Sequence, residues 1–155
     1  MTSSETKVSQ GHDNPSGPEG IEFIEFAAFD DQEAQALTRT LEGLGFRWTA
    51  RHRSKGVWLF QQGGINLIVD LEPASAARSF ATMHGVSVCA TAFRVADSGS
   101  AHRSALRRGA KDHSGVRGPG ELEIPAVRDL SGSLIYFVDH FGPEGTIYDI
   151  DFEAE

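Results

Sequence analysis

Hydrophobic and polar residues alternate most clearly in two segments. In Thr146-Ile-Tyr-Asp-Ile-Asp-Phe-Glu153, Tyr148, Ile150 and Phe152 fall on one side and Asp149, Asp151 and Glu153 on the other. A period of two predicts a β-strand with one buried face and one polar face. Ile65-Asn-Leu-Ile-Val-Asp-Leu-Glu72 repeats the pattern, setting Leu67, Val69 and Leu71 against Asn66, Asp70 and Glu72. The endings Asp70-Leu71-Glu72 and Asp151-Phe152-Glu153 nearly coincide. The two segments are therefore expected to be counterparts, each closing one copy of a repeated unit.

The intervening chain supports two copies. Ile21 to Phe29 is rich in β-branched and aromatic residues and predicts a strand. Asp30 or Asp31 caps a helix with Leu37, Leu41 and Leu44 at helical spacing, and Gly45 stops it. Strands are predicted over Phe46 to His52, Val57 to Gln62 and Ile65 to Glu72, with Gly63-Gly64 as a hairpin turn. Pro73 to His84 predicts a linking helix. Val86 to Val95 then begins a second copy, and Ser98 to Arg108 is a helix closed by Gly109. Lys111 to Pro125 reads as a loop, with a strand over Glu121 to Val127. Leu134 to His140 matches Val57 to Gln62, and the segment ending at Glu153 closes the copy. The expectation is an α+β fold of two βαβββ modules, residues 20–72 and 86–153, joined by a helix over 73–84. Two curved four-stranded sheets would face one another across a barrel-like cleft.

Residues 1–19 are polar and rich in Ser, Gly and Pro, which predicts a disordered tail carrying His12. The rest forms one domain, 20–153. A hydrophobic content of 39% and a charged content of 23% suit a chain that buries a core. No apolar run approaches the roughly 20 residues that span a bilayer, so no membrane partner is expected. The single cysteine, Cys89, favours a reducing cytoplasm. A net charge of −8 argues against nucleic acid, and the basic run Arg103 to Lys111 reads as a solvated helix face.

Several short motifs carry a family resemblance. They are Gly20-Ile-Glu-Phe-Ile-Glu-Phe-Ala27, His52-Arg-Ser-Lys55 followed by Val57-Trp-Leu-Phe60, and Gln62-Gly-Gly-Ile-Asn-Leu-Ile68. The second half adds His84-Gly-Val-Ser-Val-Cys89, Ala92-Phe-Arg-Val95, Gly118-Pro-Gly-Glu-Leu122 and Ile147-Tyr-Asp-Ile-Asp-Phe152. In this order and spacing they resemble the amino-terminal half of bacterial 4-hydroxyphenylpyruvate dioxygenases, of the vicinal oxygen chelate superfamily. The resemblance implies a glyoxalase/bleomycin-resistance-like fold and a role in aromatic amino acid catabolism. In that family Fe(II), held by two histidines and a glutamate, serves a 2-oxo acid and O2, and it sits in the carboxy-terminal half. No cofactor is therefore expected in this chain alone. It would work with an iron-bearing second half, or pair with itself and hold a small ligand such as an aromatic 2-oxo acid. The chain also resembles the dioxygenase-like region that follows a barrel domain in some bacterial dehydroshikimate dehydratases.

The resemblance also marks positions to test. In a metal-bearing half, ligands come from the cleft face of the first strand of each module and of the final strand. Those positions fall on Phe23, Ala90 and Asp149, of which only Asp149 could bind a metal. Glu25 and Asp149 are expected to point into the cleft, either as acids of raised pKa able to transfer protons or as hydrogen-bonded, solvated groups. His52, His84 and His140 lack ligand spacing and are placed at strand ends. His102 is assigned to a helix surface and His113 to a loop. Cys89 reads as a small buried hydrophobe. Gly115 to Gly120 lacks the context and the lysine of a phosphate-binding loop.

Overall fold

A computed structural model describes residues 13–155; His12 and the chain before it lie outside these. The first module comprises β1 (Gly20–Ala27), α1 (Asp31–Gly43), β2 (Arg47–His52), β3 (Val57–Gln62) and β4 (Ile65–Asp70). After α2 (Ala76–His84) come β5 (Ser87–Arg94), α3 (Ser98–Arg107), β6 (Lys111–His113), β7 (Ala126–Arg128) and β8 (Leu134–Val138). A short helix α4 (Tyr148–Asp151) and a last strand β9 (Phe152–Ala154) follow.

The two copies are built by the same local chemistry. The Asp30 side chain caps α1 by accepting from Glu33 N at 2.9 Å, and Asp97 caps α3 by accepting from Ser100 N at 2.6 Å. After each helix a glycine adopts a left-handed conformation, Gly45 at φ 99° and Gly109 at φ 98°, which only glycine reaches without strain. Within each module the first and last strands run parallel, β1 beside β4 and β5 beside β8. An antiparallel β1–β5 pairing joins the modules.

The strands form one continuous sheet in the order β6-β7-β8-β5-β1-β4-β3-β2-β9, not two facing four-stranded sheets. Alternation sorts its faces. On one, α1 covers Phe60, Leu67 and Val69, and α3 covers Val95, Val127 and Phe137. On the other lie Phe23, Leu59, Ile68, Ala92 and Val138, joined by Ile147 and Tyr148. Helix α2 packs on Ala27, Cys89, Ala90 and Leu134.

The carboxy-terminal segment differs from its predicted form. Residues 148–151 make a helical turn, and β9 pairs with β2 at the sheet edge through Ala50–Ala154, Arg51–Glu153 and His52–Phe152. Tyr148 and Phe152 share one side in an alternating reading, but they are also four apart, which is helical spacing. The Asp149 carboxylate settles the choice locally by accepting from Thr146 N at 2.7 Å and Thr146 Oγ1 at 3.1 Å. The strand that closes the second copy is therefore β8. The segment expected to be a loop holds β6, and of the strand expected over Glu121 to Val127 only its end is β7. Leu122 and Ile124 pack against the core without joining a strand. Residues 13–19, assigned from composition to a disordered tail, have defined partners. Ser104 Oγ donates to Pro15 O at 3.2 Å, and Glu19 N to Arg94 O at 2.9 Å.

Phe60 is 0% exposed, so Phe60→Ala leaves a large cavity under α1. It should lower the unfolding free energy by about 3–5 kcal/mol in urea titrations.

Candidate functional site

The sheet face away from α1 and α3 encloses a cavity of about 640 Å³, within the usual size of small-molecule pockets. Its floor comes from β1, β4 and β8. Glu25 of β1 lies opposite Ile68 of β4, and Asp70 lies two residues beyond Ile68 on the same face. Across β1, Glu25 faces Ala90 and Phe23 faces Ala92. These small side chains leave room above β5. Between the Glu25–Ala90 and Phe26–Val88 pairs the register slips by one residue. That bulge turns Cys89 inward, and its thiol donates to Glu25 Oε1 at 3.4 Å.

Glu25 and Asp70 are each only 8% exposed and interact side chain to side chain. Burial, then the charge of Asp70, push Glu25 well above the ordinary carboxylate range. Burial also raises Asp70, although Oδ1 accepts from Glu72 N at 2.8 Å and Ser75 Oγ at 3.1 Å. Two adjacent desolvated acids cannot both ionise cheaply, so the pair keeps one proton. Burial and these charges push the Cys89 thiol and the Tyr136 phenol upward. Cys89 is thus an inert thiol.

The 114–125 loop forms a wall and is fastened by Glu121. Lys55 Nζ and Ser54 Oγ each donate to this carboxylate at 2.7 Å, and Gly118 N donates at 2.8 Å. Burial alone would raise Glu121, but these bonds outweigh it and lower its pKa to about 2. His52 lies 3.9 Å from Glu121, and burial lowers its pKa. His102 and His113 also line the cavity rather than facing outward. His102 pairs with Asp112 at 2.8 Å, and His113 Nδ1 lies 2.9 Å from an Arg128 guanidinium nitrogen.

Glu25 therefore lies where the sequence placed it, in the cavity. Asp149 does not join it. Because residues 148–151 form α4, Asp149 lines a separate hollow of about 520 Å³, near the Glu22–Arg94 ion pair. The partner of Glu25 is Asp70, which the alternation of β4 had assigned to a wet face. His84 sits at the end of α2, its ring centroid 4.4 Å from that of Phe80.

The residues do not fit the Fe(II) set of the resembled family. Phe23 and Ala90 carry no donor atoms, and Asp149 is elsewhere. The true closing strands of the modules offer Asp70 and Tyr136 to the cavity floor. Among the described residues no group of three His, Cys, Asp or Glu side chains is placed to hold a metal ion. Two oxygen acids sharing a proton, with no imidazole between them, are a poor site for a metal that takes two histidines and a carboxylate.

Paired βαβββ modules joined through their first strands define a vicinal oxygen chelate-type domain. The chain belongs to the family described as hydroxyphenylpyruvate dioxygenase, HPPD, N-terminal, which matches residues 12–153. It is 46% identical over 141 residues to the 4-hydroxyphenylpyruvate dioxygenase of Pseudomonas sp. (strain P.J. 874), covering 91% of this chain and 39% of that protein. It is 47% identical over 134 residues to the 3-dehydroshikimate dehydratase of Pseudomonas aeruginosa, covering 86% of this chain and 21% of that one. Among solved structures, a xylose isomerase-like TIM barrel/4-hydroxyphenylpyruvate dioxygenase fusion protein superimposes with a TM-score of 0.79 at 42% identity, covering 92% of this chain and 22% of the fusion. The chain thus spans about two fifths or less of these relatives.

The shared proton sets a pH dependence. An acid whose folded pKa is raised holds a proton that the unfolded chain has released, so stability falls as pH rises above the ordinary carboxylate range. Glu25→Gln, which keeps a donor to Asp70, should be more stable than wild type at neutral pH. Its unfolding free energy should also fall less steeply between about pH 5 and pH 8; parallel slopes in urea titrations would count against the shared proton. Lys55→Met removes the cation that holds Glu121 and should speed hydrogen exchange at the 114–122 amides while leaving β1 and β5 protected.

Proposed function

We propose that this chain serves as the metal-free amino-terminal module of a 4-hydroxyphenylpyruvate dioxygenase-type enzyme of aromatic amino acid catabolism in the cytoplasm. Oxygen chemistry falls to an iron-bearing half on the same or another polypeptide, and this module supplies a folded scaffold to that half. One observation carries the reading: the amino-terminal family model matches nearly the whole domain, and the positions that the resemblance marks for metal ligands, Phe23 and Ala90, carry no donor atoms. Fold alone does not confer the activity without the site.

A second reading has its own support. The 3-dehydroshikimate dehydratase relative and the barrel fusion structure carry a similar region within much longer chains. The same module would then accompany a barrel dehydratase.

The test is anaerobic Fe(II) titration of the purified chain, then oxygen uptake with 4-hydroxyphenylpyruvate. The chain alone should neither bind iron stoichiometrically nor consume oxygen; one-to-one binding with turnover would overturn the proposal. Sedimentation of the chain with the separately produced carboxy-terminal half of the Pseudomonas dioxygenase should give a complex. A self-paired dimer that ignores that half would favour a stand-alone ligand-binding domain.

A further inference from the structure

The cavity above Glu25 and Asp70 is unused by the scaffold reading, and its lining selects a kind of ligand. Its cations are already committed among the described residues. Lys55 is held by Glu121 at 2.7 Å and Arg117 by Glu123 at 3.0 Å. Burial pushes the His52 and His113 imidazoles toward their neutral forms. Carboxyl groups outnumber the cations, with Asp112, Asp151 and the Glu25–Asp70 pair added to Glu121 and Glu123. An acidic ligand would enter a negative field with no free cation to meet it.

The floor also has unfilled hydrogen-bonding capacity. Glu25 Oε1 takes the Cys89 thiol, and Asp70 Oδ1 takes Glu72 N and Ser75 Oγ. The second oxygen of each carboxyl takes no donor from a backbone N–H, hydroxyl, thiol or cation of the described residues. Both residues are more than nine-tenths buried and line the cavity. The Tyr136 hydroxyl lines it too, without a hydrogen-bond partner among the described residues. Apolar walls rise above this floor. Phe23 and Tyr136 lie 5.7 Å apart between ring centroids, facing Leu122, Ile124 and Phe152.

We propose that this cavity binds a small organic amine with an apolar, aromatic body, its ammonium group seated between Glu25 and Asp70. An ammonium has three N–H donors and no acceptor. Two go to the free carboxyl oxygens and the third to the Tyr136 oxygen, while the body lies against Phe23 and its neighbours. On binding, the proton shared by the two acids leaves for solvent, so the ammonium replaces one positive charge with another. Both carboxylates are then ionised and paired, which relieves their repulsion. The site is independent of iron, so the proposed function can fail while this one stands.

Proton release makes the idea measurable. The other groups facing the pair keep their charge across neutral pH. Cys89 on β5 and Tyr136 on β8 are pushed up and stay protonated, and Glu121 is held down and stays ionised. Glu72, beyond the end of β4, accepts from Gly56 N at 2.9 Å, and Lys55 stays paired with Glu121. His52 and His113 are neutral above about pH 6.5.

The experiment is isothermal titration of the whole chain with 2-phenylethylamine, 2-phenylethanol and 3-phenylpropionate, in buffers of different ionisation enthalpy. The amine should bind one to one, about tenfold or more tightly than the alcohol, and the carboxylate should not bind. About one proton should be released per amine, and affinity should rise about tenfold per pH unit while the pair remains protonated. Glu25→Gln should weaken the amine about tenfold and abolish the proton release. Equal or tighter binding of 3-phenylpropionate, no binding of the amine, or binding without proton release would each overturn the proposal. Proton release is read on the unaltered protein, so the outcome does not depend on the variant folding.

Discussion

The antiparallel pairing of β1 with β5 is the constraint on which the architecture depends. It places the first strands of both modules at the centre of one sheet, and every other strand is added outward from them. Because β1 and β4 run parallel, as do β5 and β8, each module must cross over through a helix before its closing strand returns. Those crossovers put α1 and α3 on one face. The opposite face is left for a curved floor, and the cavity follows from that asymmetry. Ala90 and Ala92, set against Glu25 and Phe23, keep the centre of the floor open where larger residues would fill it.

Much of this was legible from local chemistry. The aspartate before α1 and the glycines that end α1 and α3 are short-range signals, and with the recurring strand pattern they located both helices and the repeat itself. The closing segment misled because Tyr148, Ile150 and Phe152 satisfy both a strand period and, in part, a helix period. The Asp149–Thr146 bonds decide between them, and alternation does not contain that information. Asp70 was misread for another reason. Strand β4 lies between β1 and β3 and is covered on both faces, so its polar side chain is buried although the pattern suggests a wet side. That pairing is non-local, and so is the fold of the 111–125 segment that brings His113 to the cavity and sets Asp112 against His102 of α3. Glu25 was identified as a cleft residue because it lies two residues beyond Phe23 on the same face of β1, a position that the family resemblance marks.

The floor shows how a fold built around metal ligands can carry a different electrostatic solution. In this domain the floor holds Phe23 and two desolvated acids, with Ala90 and Ala92 set opposite them on β5. A proton is a weak substitute for a divalent cation, since it satisfies one oxygen lone pair and leaves the others facing a low-dielectric space. The desolvation of Glu25 and Asp70 is thus only partly offset in the empty domain, and such a pair favours a positively charged guest over a negative one.

The cavity has two unequal walls, and this governs molecular traffic. One wall is the α4–β9 segment, held to β2 by a backbone ladder that includes Arg53 N to Asp151 O at 2.9 Å and Glu155 N to Thr49 O at 3.0 Å. The other is the 114–125 loop, fastened mainly through Glu121 and its bonds to Lys55, Ser54 and Gly118. A ladder yields only when several bonds break together, whereas a side-chain clasp opens one contact at a time. The loop side is thus the weaker of the two walls, and the Lys55–Glu121 contact is the bond that an incoming guest would have to loosen first.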